Sequence, residues 1–331
     1  MTTIPTTPNP IVPAGRQVTA VNPPAATRVP LGVRRIAPIN GAVTFAPLSA
    51  TSGMFLGFPG SGKSSLLQSA SHGFIFNLDL SVAVHPDFAS GRGAELWPYI
   101  DERGIAIDGA GKTVTLNYEL VLSVVDALGR IPPTDPTRPR FIAFDTLDSL
   151  IILVKNWVAK HYQKEDFEEA GMAGWRKLSD EIYALYTKVR RLGFGCFFTA
   201  HLNTEKVSTG GENAAVALRL AFRSVTPSIN QKLIPQMDHI FLVEAATTTK
   251  TTTVNGKAVA AKATTYILNS EKPHRLLADT LKCKAPIPPR LELPELDTFS
   301  VIEQAYAEAM KKKMDRTSQI ASPTAEPSAA Q

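Results

Sequence analysis

Short apolar runs that end in a polar residue recur along the chain, and they predict buried strands of a parallel sheet. The clearest runs are Thr51–Leu56, Phe74–Asp79, Phe141–Asp145 and Phe194–Ala200, the last followed directly by His201. Ligands of open α/β sheets bind at the carboxyl ends of such strands. The polar residues at these ends, Asp79, Asp145 and His201, are therefore candidates for a functional site.

Helical patterns separate the predicted strands. One long helix, ending at Gly193, is predicted by apolar residues that recur at intervals of three and four: Trp175, Leu178, Ile182, Leu185, Val189 and Leu192. Further helices are predicted over 64–71, 119–128 and 149–162, with a last helix from about Ser300. The alternation predicts an α/β fold with a mostly parallel central sheet flanked by helices.

The pattern changes in the last third of the chain. Asp238–Thr248 and Ala258–Asn269 are rich in β-branched residues, and Asn255-Gly256 lies between them. This spacing favours a hairpin with a type I′ turn, which would add an antiparallel edge to the sheet.

Composition supports one globular domain with loose ends. The chain has 331 residues and is 44% hydrophobic, and we expect a disordered basic arm over 1–38, one α/β domain over 39–315 and a disordered tail over 316–331. Two cysteines exclude a disulfide framework and fit a reducing cytoplasm. We expect no signal peptide and no membrane span, because no apolar stretch is long enough.

Charge is distributed unevenly. The net charge is +5, and no Asp or Glu precedes Asp79, whereas Arg16, Arg28, Arg34, Arg35 and Lys63 do. A basic arm without acids suits nucleic acid, and a merely soluble tail is the alternative. A second candidate for nucleic acid is the segment 203–236, which is predicted as a long loop carrying Arg219, Arg223 and Lys232. The alternative for that segment is a solvated loop with a short helix over 214–222.

A phosphate loop connects the first predicted strand to its helix. Residues 57–64 read Gly-Phe-Pro-Gly-Ser-Gly-Lys-Ser and fit the Walker A pattern. Its glycines let backbone N–H groups curl around an anion at a helix N-terminus. Lys63 would reach the β- and γ-phosphates, and the Ser64 hydroxyl would bind Mg²⁺. The predicted nucleotide-binding residues are Gly57, Pro59, Gly60, Ser61, Gly62, Lys63, Ser64 and Ser65.

Three residues at other strand ends could complete the site. Asp145 ends a Walker B pattern and would bind Mg²⁺ beside Ser64, whereas a capping carboxylate is the plain alternative. Asp79 is a candidate base or water-orienting residue, or else a cap of the next turn. His201 is a candidate sensor of the γ-phosphate, or else a satisfied neutral histidine. Asp148 is interpreted as a helix-start residue.

In these motifs the chain resembles the RecA-like P-loop ATPases, and more narrowly the phage-encoded nucleotide-binding proteins grouped with the Sak-type single-strand annealing proteins. The resemblance covers about residues 40–295. It implies ATP with Mg²⁺, and a catalytic acid at the position of Asp79, where the family normally has Glu. It also implies assembly into rings or filaments, with Lys272 or Arg275 completing a neighbour's site.

The resemblance implies a function as an ATPase acting on single-stranded DNA in recombination, annealing or replication, with a single-strand-binding protein as a further partner. Two alternatives stay open. One is a small-molecule kinase, since the same phosphate loop occurs there. The other is a nucleotide-gated DNA-binding module with little hydrolysis, because Asp79 is one methylene shorter than Glu.

Overall fold

The computed structural model describes residues 46–81, 91–208, 216–222, 227–254, 257–270, 282–283, 287–294 and 297–321. The predicted N-terminal arm, the Asn255-Gly256 turn, Arg223, Lys272 and Arg275 lie outside these residues. Within them, none of the helices is long and apolar enough to cross a membrane.

Strands and helices alternate through the first two thirds of the chain. The strands are β1 (Ser52–Gly57), β2 (Gly73–Asn77), β3 (Glu95–Trp97), β4 (Tyr99–Ile100), β5 (Ala106–Ile107), β6 (Phe141–Asp145), β7 (Gly195–Ser208), β8 (Val216–Phe222), β9 (His239–Val254), β10 (Lys257–Asn269), β11 (Lys282–Cys283) and β12 (Arg290–Leu293). The α-helices are α1 (Lys63–Gln68), α2 (Tyr118–Gly129), α3 (Leu147–His161), α4 (Gly171–Arg191), α5 (Pro227–Leu233) and α6 (Thr298–Ala321).

The main sheet has the strand order β12-β10-β9-β1-β7-β6-β2-β3. The pairs from β9 to β3 are parallel, whereas β10 and β12 add an antiparallel edge. The predicted fold class is therefore confirmed. Strand β1, which leads into the phosphate loop, lies centrally between β9 and β7.

Both faces of the sheet are covered, which explains why the strands read as continuous apolar runs. The predicted stripe of α4 is buried on one face through Leu178, Ile182, Leu185 and Val189. The other face packs against α1 and α6 through stacked phenylalanines such as Phe141 and Phe299. This packing brings the carboxyl ends of β1, β2 and β6 to one edge, level with His201 in β7.

The segment after His201 was predicted incorrectly as a loop. Strand β7 continues through His201 to Ser208 and pairs antiparallel with β8 over Leu202–Ser208 and Val216–Phe222. The alternative helix over 214–222 is also wrong, because 216–222 is a strand. Its sequence, Val-Ala-Leu-Arg-Leu-Ala-Phe, alternates with period two, which is the pattern of a strand rather than a helix.

Two further boundaries differ from the prediction. Helix α6 continues to Ala321, past the predicted start of a disordered tail at 316. The sequence of residues 42–48 also favours a strand, whereas Leu48 lies in a short 3₁₀ helix, Leu48–Ala50. Helix α6 lies against α1 and its backbone contacts the core, since Phe299 N–H donates to Ser69 Oγ at 2.9 Å.

Candidate functional site

The phosphate loop adopts the conformation that its glycines allow. Gly60 and Gly62 have φ angles of +79° and +91°, in the left-handed region that favours glycine. The Ser61 N–H donates to the carbonyl oxygen of Phe58 at 3.1 Å and closes the turn. Helix α1 begins directly after this turn, so its first N–H groups face the loop.

Two glycines of the loop are also required by close contacts. A Cβ atom on Gly57 would lie 2.5 Å from the carbonyl oxygen of Val243 in β9. A Cβ atom on Gly62 would lie 2.6 Å from Cδ1 of Tyr266 in β10. The loop is therefore walled by the antiparallel edge of the sheet, a contact that the sequence alone does not predict.

Lys63 is buried within the loop, with 4% of its surface exposed. Its Nζ donates to the carbonyl oxygens of Gly57 at 3.0 Å and Phe58 at 2.8 Å. Burial lowers its pKa to about 8, while the negative charges of Asp145, Asp148 and Asp79 act in the opposite direction. A phosphate group would compete for this ammonium with a full negative charge, whereas the carbonyl groups offer only dipoles.

Asp145 and Ser64 are brought together, as predicted. The Asp145 carboxylate is 1% exposed and accepts hydrogen bonds from the hydroxyls of Thr199 and Ser64. Burial raises the pKa of Asp145, and the two hydroxyls partly oppose that shift. Thr199 lies in β7, so three adjacent elements, β6, β7 and α1, place these oxygen atoms beside the loop.

The oxygen atoms of Ser64 and Asp145 suit Mg²⁺ better than a metal ion that takes all of its ligands from protein side chains. Among the described residues, no group of three or more His, Cys, Asp or Glu side chains could hold a metal. Mg²⁺ is usually held by one or two carboxylates together with substrate phosphates and water. Ser64 and Asp145 are therefore the residues that would hold it.

Asp79 lies two residues beyond β2 at the same edge. The backbone N–H groups of Leu78 and Asp79 both donate to the carbonyl oxygen of Asp145, at 2.7 and 3.2 Å. Its exposed carboxylate accepts from Thr146 Oγ1 at 3.0 Å and from the Ser149 hydroxyl. Asp79 thus binds two hydroxyl groups at the start of α3, where Thr146 is the N-cap. Both its role as a base and the alternative of a cap on the next turn stay predictions.

His201 lies beside the phosphate loop but not at a strand end. It is the register partner of Gly57 in the β1–β7 pair. Its backbone N–H donates to Asp148 Oδ2 at 2.9 Å, and its Nδ1 lies 3.3 Å from the same oxygen. Asp148 starts α3, as predicted, but its role as the partner of His201 was missed. The only sequence signal is its position three residues after Asp145.

The basic residues predicted to contact DNA have acidic neighbours where the structure describes them. Lys232 forms an ion pair with Asp180 of α4. Arg219 lies opposite Glu205 in the β7–β8 register. The charges of this region are therefore more balanced than the basic residues alone suggest.

Comparisons with known proteins found a matching family model and similar solved structures. A family model described as an AAA domain, AAA_24, matches residues 49–274. The chain is similar in structure to the flagellar accessory protein FlaH from Methanocaldococcus jannaschii, with 10% identity, a TM-score of 0.32 and coverage of 75% of this chain and 85% of that chain. It is also similar to a KaiC-like protein from Pyrococcus horikoshii OT3, with 12% identity, a TM-score of 0.33 and coverage of 74% and 91%. No curated protein matches the chain in sequence. The residues matched by the family model include the phosphate loop, Asp79, Asp145 and His201.

Proposed function

We propose that this chain, which belongs to the AAA domain family AAA_24, binds ATP with Mg²⁺ and hydrolyses it. One observation carries the proposal. The Ser64 hydroxyl meets the buried Asp145 carboxylate directly beside the glycine loop that holds Lys63. This arrangement supplies both a phosphate site and two oxygen ligands for a divalent cation.

Each residue of the site has a distinct task in this proposal. The loop N–H groups and Lys63 bind the β- and γ-phosphates, and Ser64 and Asp145 hold the metal. Bound Mg²⁺ supplies positive charge that offsets the charge developing on the phosphoryl oxygens. Asp79 accepts the proton of the attacking water. His201, oriented by Asp148, contacts the γ-phosphate and senses its loss.

We further infer that the ATPase acts on single-stranded DNA, as the resemblance to phage single-strand annealing proteins suggests. Assembly into a ring or filament and recruitment by a single-strand-binding protein belong to the same proposal. Two β-hairpins, β7–β8 and β9–β10, extend from the edge of the sheet that carries the phosphate loop. Their position supports a link between the nucleotide site and a polymeric partner.

The deciding experiment is phosphate release from ATP and Mg²⁺, measured with and without single-stranded DNA. DNA is expected to stimulate release. Slow release that is indifferent to DNA would favour a nucleotide-gated binding module. Phosphate transfer to a nucleoside, followed by chromatography, would instead identify a kinase.

An Asp79→Asn variant is expected to reduce ATP turnover at least tenfold, because general-base catalysis contributes about 10²–10⁴-fold. The amide keeps an oxygen that can accept from Thr146 and Ser149 but cannot take a proton. Steady-state turnover and ATP affinity should be measured together, and affinity is expected to change little.

A Ser149→Ala variant is the matched control for Asp79. It removes one hydroxyl that contacts Asp79 and leaves the carboxylate in place. Its turnover should fall much less than that of Asp79→Asn. Equal turnover in Asp79→Asn and wild type would show that Asp79 only accepts the hydroxyl groups of Thr146 and Ser149.

A further inference from the structure

The β9–β10 ribbon is the part of the hairpin formed by residues 246–254 and 257–265. Each residue of one strand pairs with one of the other, from Ala246↔Thr265 to Val254↔Lys257. Among the described residues, these two segments pair with no further strand, because β1 and β12 join only nearer the base. At about 3.4 Å per residue, the ribbon extends roughly 30 Å beyond the sheet.

The composition of the ribbon argues against an interface with another protein or with a membrane surface. It contains eight Thr, five Ala, three Lys and two Val, and no acidic or aromatic residue. Protein–protein interfaces rely on aromatic, Met and Arg anchors, which are missing from this composition. Membrane-surface elements need large apolar side chains, which it also lacks. What the ribbon can offer a partner is positive charge, hydroxyl groups and the backbone N–H and C=O groups along its outer edges.

That chemistry fits the backbone of a nucleic acid. Phosphate oxygens are contacted in proteins by Lys, by Thr hydroxyls and by backbone N–H groups. An antiparallel two-stranded ribbon also has the width that enters the major groove of a duplex. The three lysines are Lys250, Lys257 and Lys262.

The register distributes these lysines over both faces of the ribbon. Lys250 pairs with Ala261 and Lys257 with Val254, which places both lysines on one face. Lys262 pairs with Thr249 and belongs to the other face. Val254 is four residues beyond Lys250, about 14 Å along the strand. A chain of phosphates lying along the ribbon can therefore contact more than one lysine.

The β7–β8 hairpin is the less suitable candidate for the same partner. Its paired residues carry Glu205, Lys206 and Arg219, with Glu205 directly opposite Arg219. The sequence between these strands adds one more acid, Glu212. Acids and bases are thus equal in number there, whereas the β9–β10 ribbon carries only positive charge.

The base of the ribbon touches the phosphate loop. Tyr266, the residue after the ribbon in β10, lies against Gly62, where an added Cβ would be 2.6 Å from its ring. In β9, the carbonyl oxygen of Val243 lies as close to the Cβ position of Gly57. A ligand bound to the ribbon would therefore contact the same two strands that line the nucleotide site.

We propose that the β9–β10 ribbon binds the phosphate backbone of a nucleic acid, a proposal that rests on the inferred action on DNA. The test is a Lys250→Gln/Lys257→Gln/Lys262→Gln variant of the full chain, with binding to fluorescent oligothymidylate followed by anisotropy at several salt concentrations. The slope of log affinity against log salt is negative, and its magnitude should decrease by about 0.7 for each lost contact. We expect a fall of about 1.4–2.1 and an affinity at least tenfold weaker.

The matched control is Lys311→Gln/Lys312→Gln/Lys313→Gln, which removes three exposed lysines from α6 and changes the charge equally. This control should keep the wild-type slope. Equal losses in both variants, or no loss in the ribbon variant, would overturn the proposal. If the ribbon variant fails to fold, single Lys→Gln variants replace it, each expected to lower the slope by about 0.7.

A duplex of the same length is tested in parallel. A loss of affinity in the ribbon variant on the single strand, on the duplex or on both supports the proposal and identifies the form of nucleic acid, whereas wild-type binding to neither refutes it. All anisotropy is measured without nucleotide. If the ribbon proposal is wrong, the ribbon variant binds DNA like the wild type in this nucleotide-free assay. If the proposed ATPase activity is wrong, the wild type releases no phosphate from ATP.

Discussion

A Lys63→Met variant is expected to lose at least nine tenths of the ATP turnover and to unfold at a higher urea concentration than the wild type. Turnover falls because each charge-assisted hydrogen bond to a phosphate contributes about 1.5–3 kcal/mol. Stability rises because the folded chain holds a buried ammonium whose pKa is lowered from 10.5 to about 8. This lowered pKa means that a charged Lys63 destabilises the folded chain by about 3 kcal/mol relative to a neutral one.

The net gain in stability should be smaller, about 1–2 kcal/mol. Methionine fills a similar volume but leaves the carbonyl oxygens of Gly57 and Phe58 without the ammonium donor. Phe58 keeps the N–H of Ser61 as a partner. One lost hydrogen bond costs about 1 kcal/mol, which offsets part of the gain. Urea unfolding at pH 7 measures the balance.

The pH dependence separates this explanation from a simple packing effect. Between pH 8 and 10.5 the unfolded chain holds more protons at Lys63 than the folded chain, so the lysine's cost shrinks as pH rises. Burial raises the pKa of Cys196, which lowers stability at alkaline pH in wild type and variant alike. The difference between the two proteins should therefore shrink from pH 8 upward. A difference that stays constant with pH would contradict the burial of a charged Lys63.

The phosphate loop was predictable because it is a local structure. Its residues are consecutive, its glycines are needed for positive φ angles, and the strand before it and the helix after it have their own patterns. Strand β6 was predicted with the observed boundaries for a similar reason, since its residues are buried on both faces. Where burial fixes every position, composition and periodicity are sufficient.

His201 shows where this kind of prediction fails. The apolar run ends at Ala200, so the strand was expected to end there as well. Strand β7 instead continues to Ser208, because it pairs with β8 outside the main sheet. The residues of β7 after Ala200 are mixed polar and apolar, and only the alternation in Val216–Phe222 could have indicated the hairpin.

The partners of the acidic residues could not be predicted from one sequence. Thr146 and Ser149 donate to Asp79, and Asp148 accepts from His201, because the first turn of α3 lies beside the end of β2 and beside His201 in the middle of β7. These contacts join residues that are 53 to 70 positions apart. Periodicity describes which face of an element is buried, but not which polar groups meet at the edge of a sheet.

The second large effect is expected at Asp145. An Asp145→Asn variant should reduce Mg²⁺-dependent ATP turnover by about a hundredfold or more, since a bound metal stabilises the transition state by several kcal/mol and each 1.4 kcal/mol is about tenfold. Asparagine keeps an oxygen that can accept from Thr199 or Ser64, but it lacks the charge that attracts the cation. Phosphate release should be measured over a range of Mg²⁺ concentrations, together with ATP affinity in the presence of a chelator.

Loss of folding is not the expected cause of that effect. Burial raises the pKa of Asp145, so the folded chain disfavours its charge, and a neutral amide should leave stability equal or higher. A Thr199→Val variant serves as the control, because it removes the hydroxyl donor and retains the carboxylate. It should keep a clear response to Mg²⁺ even if turnover falls. An Asp145→Asn variant with the wild-type Mg²⁺ dependence would show that this carboxylate is only a buried partner of Thr199 and Ser64.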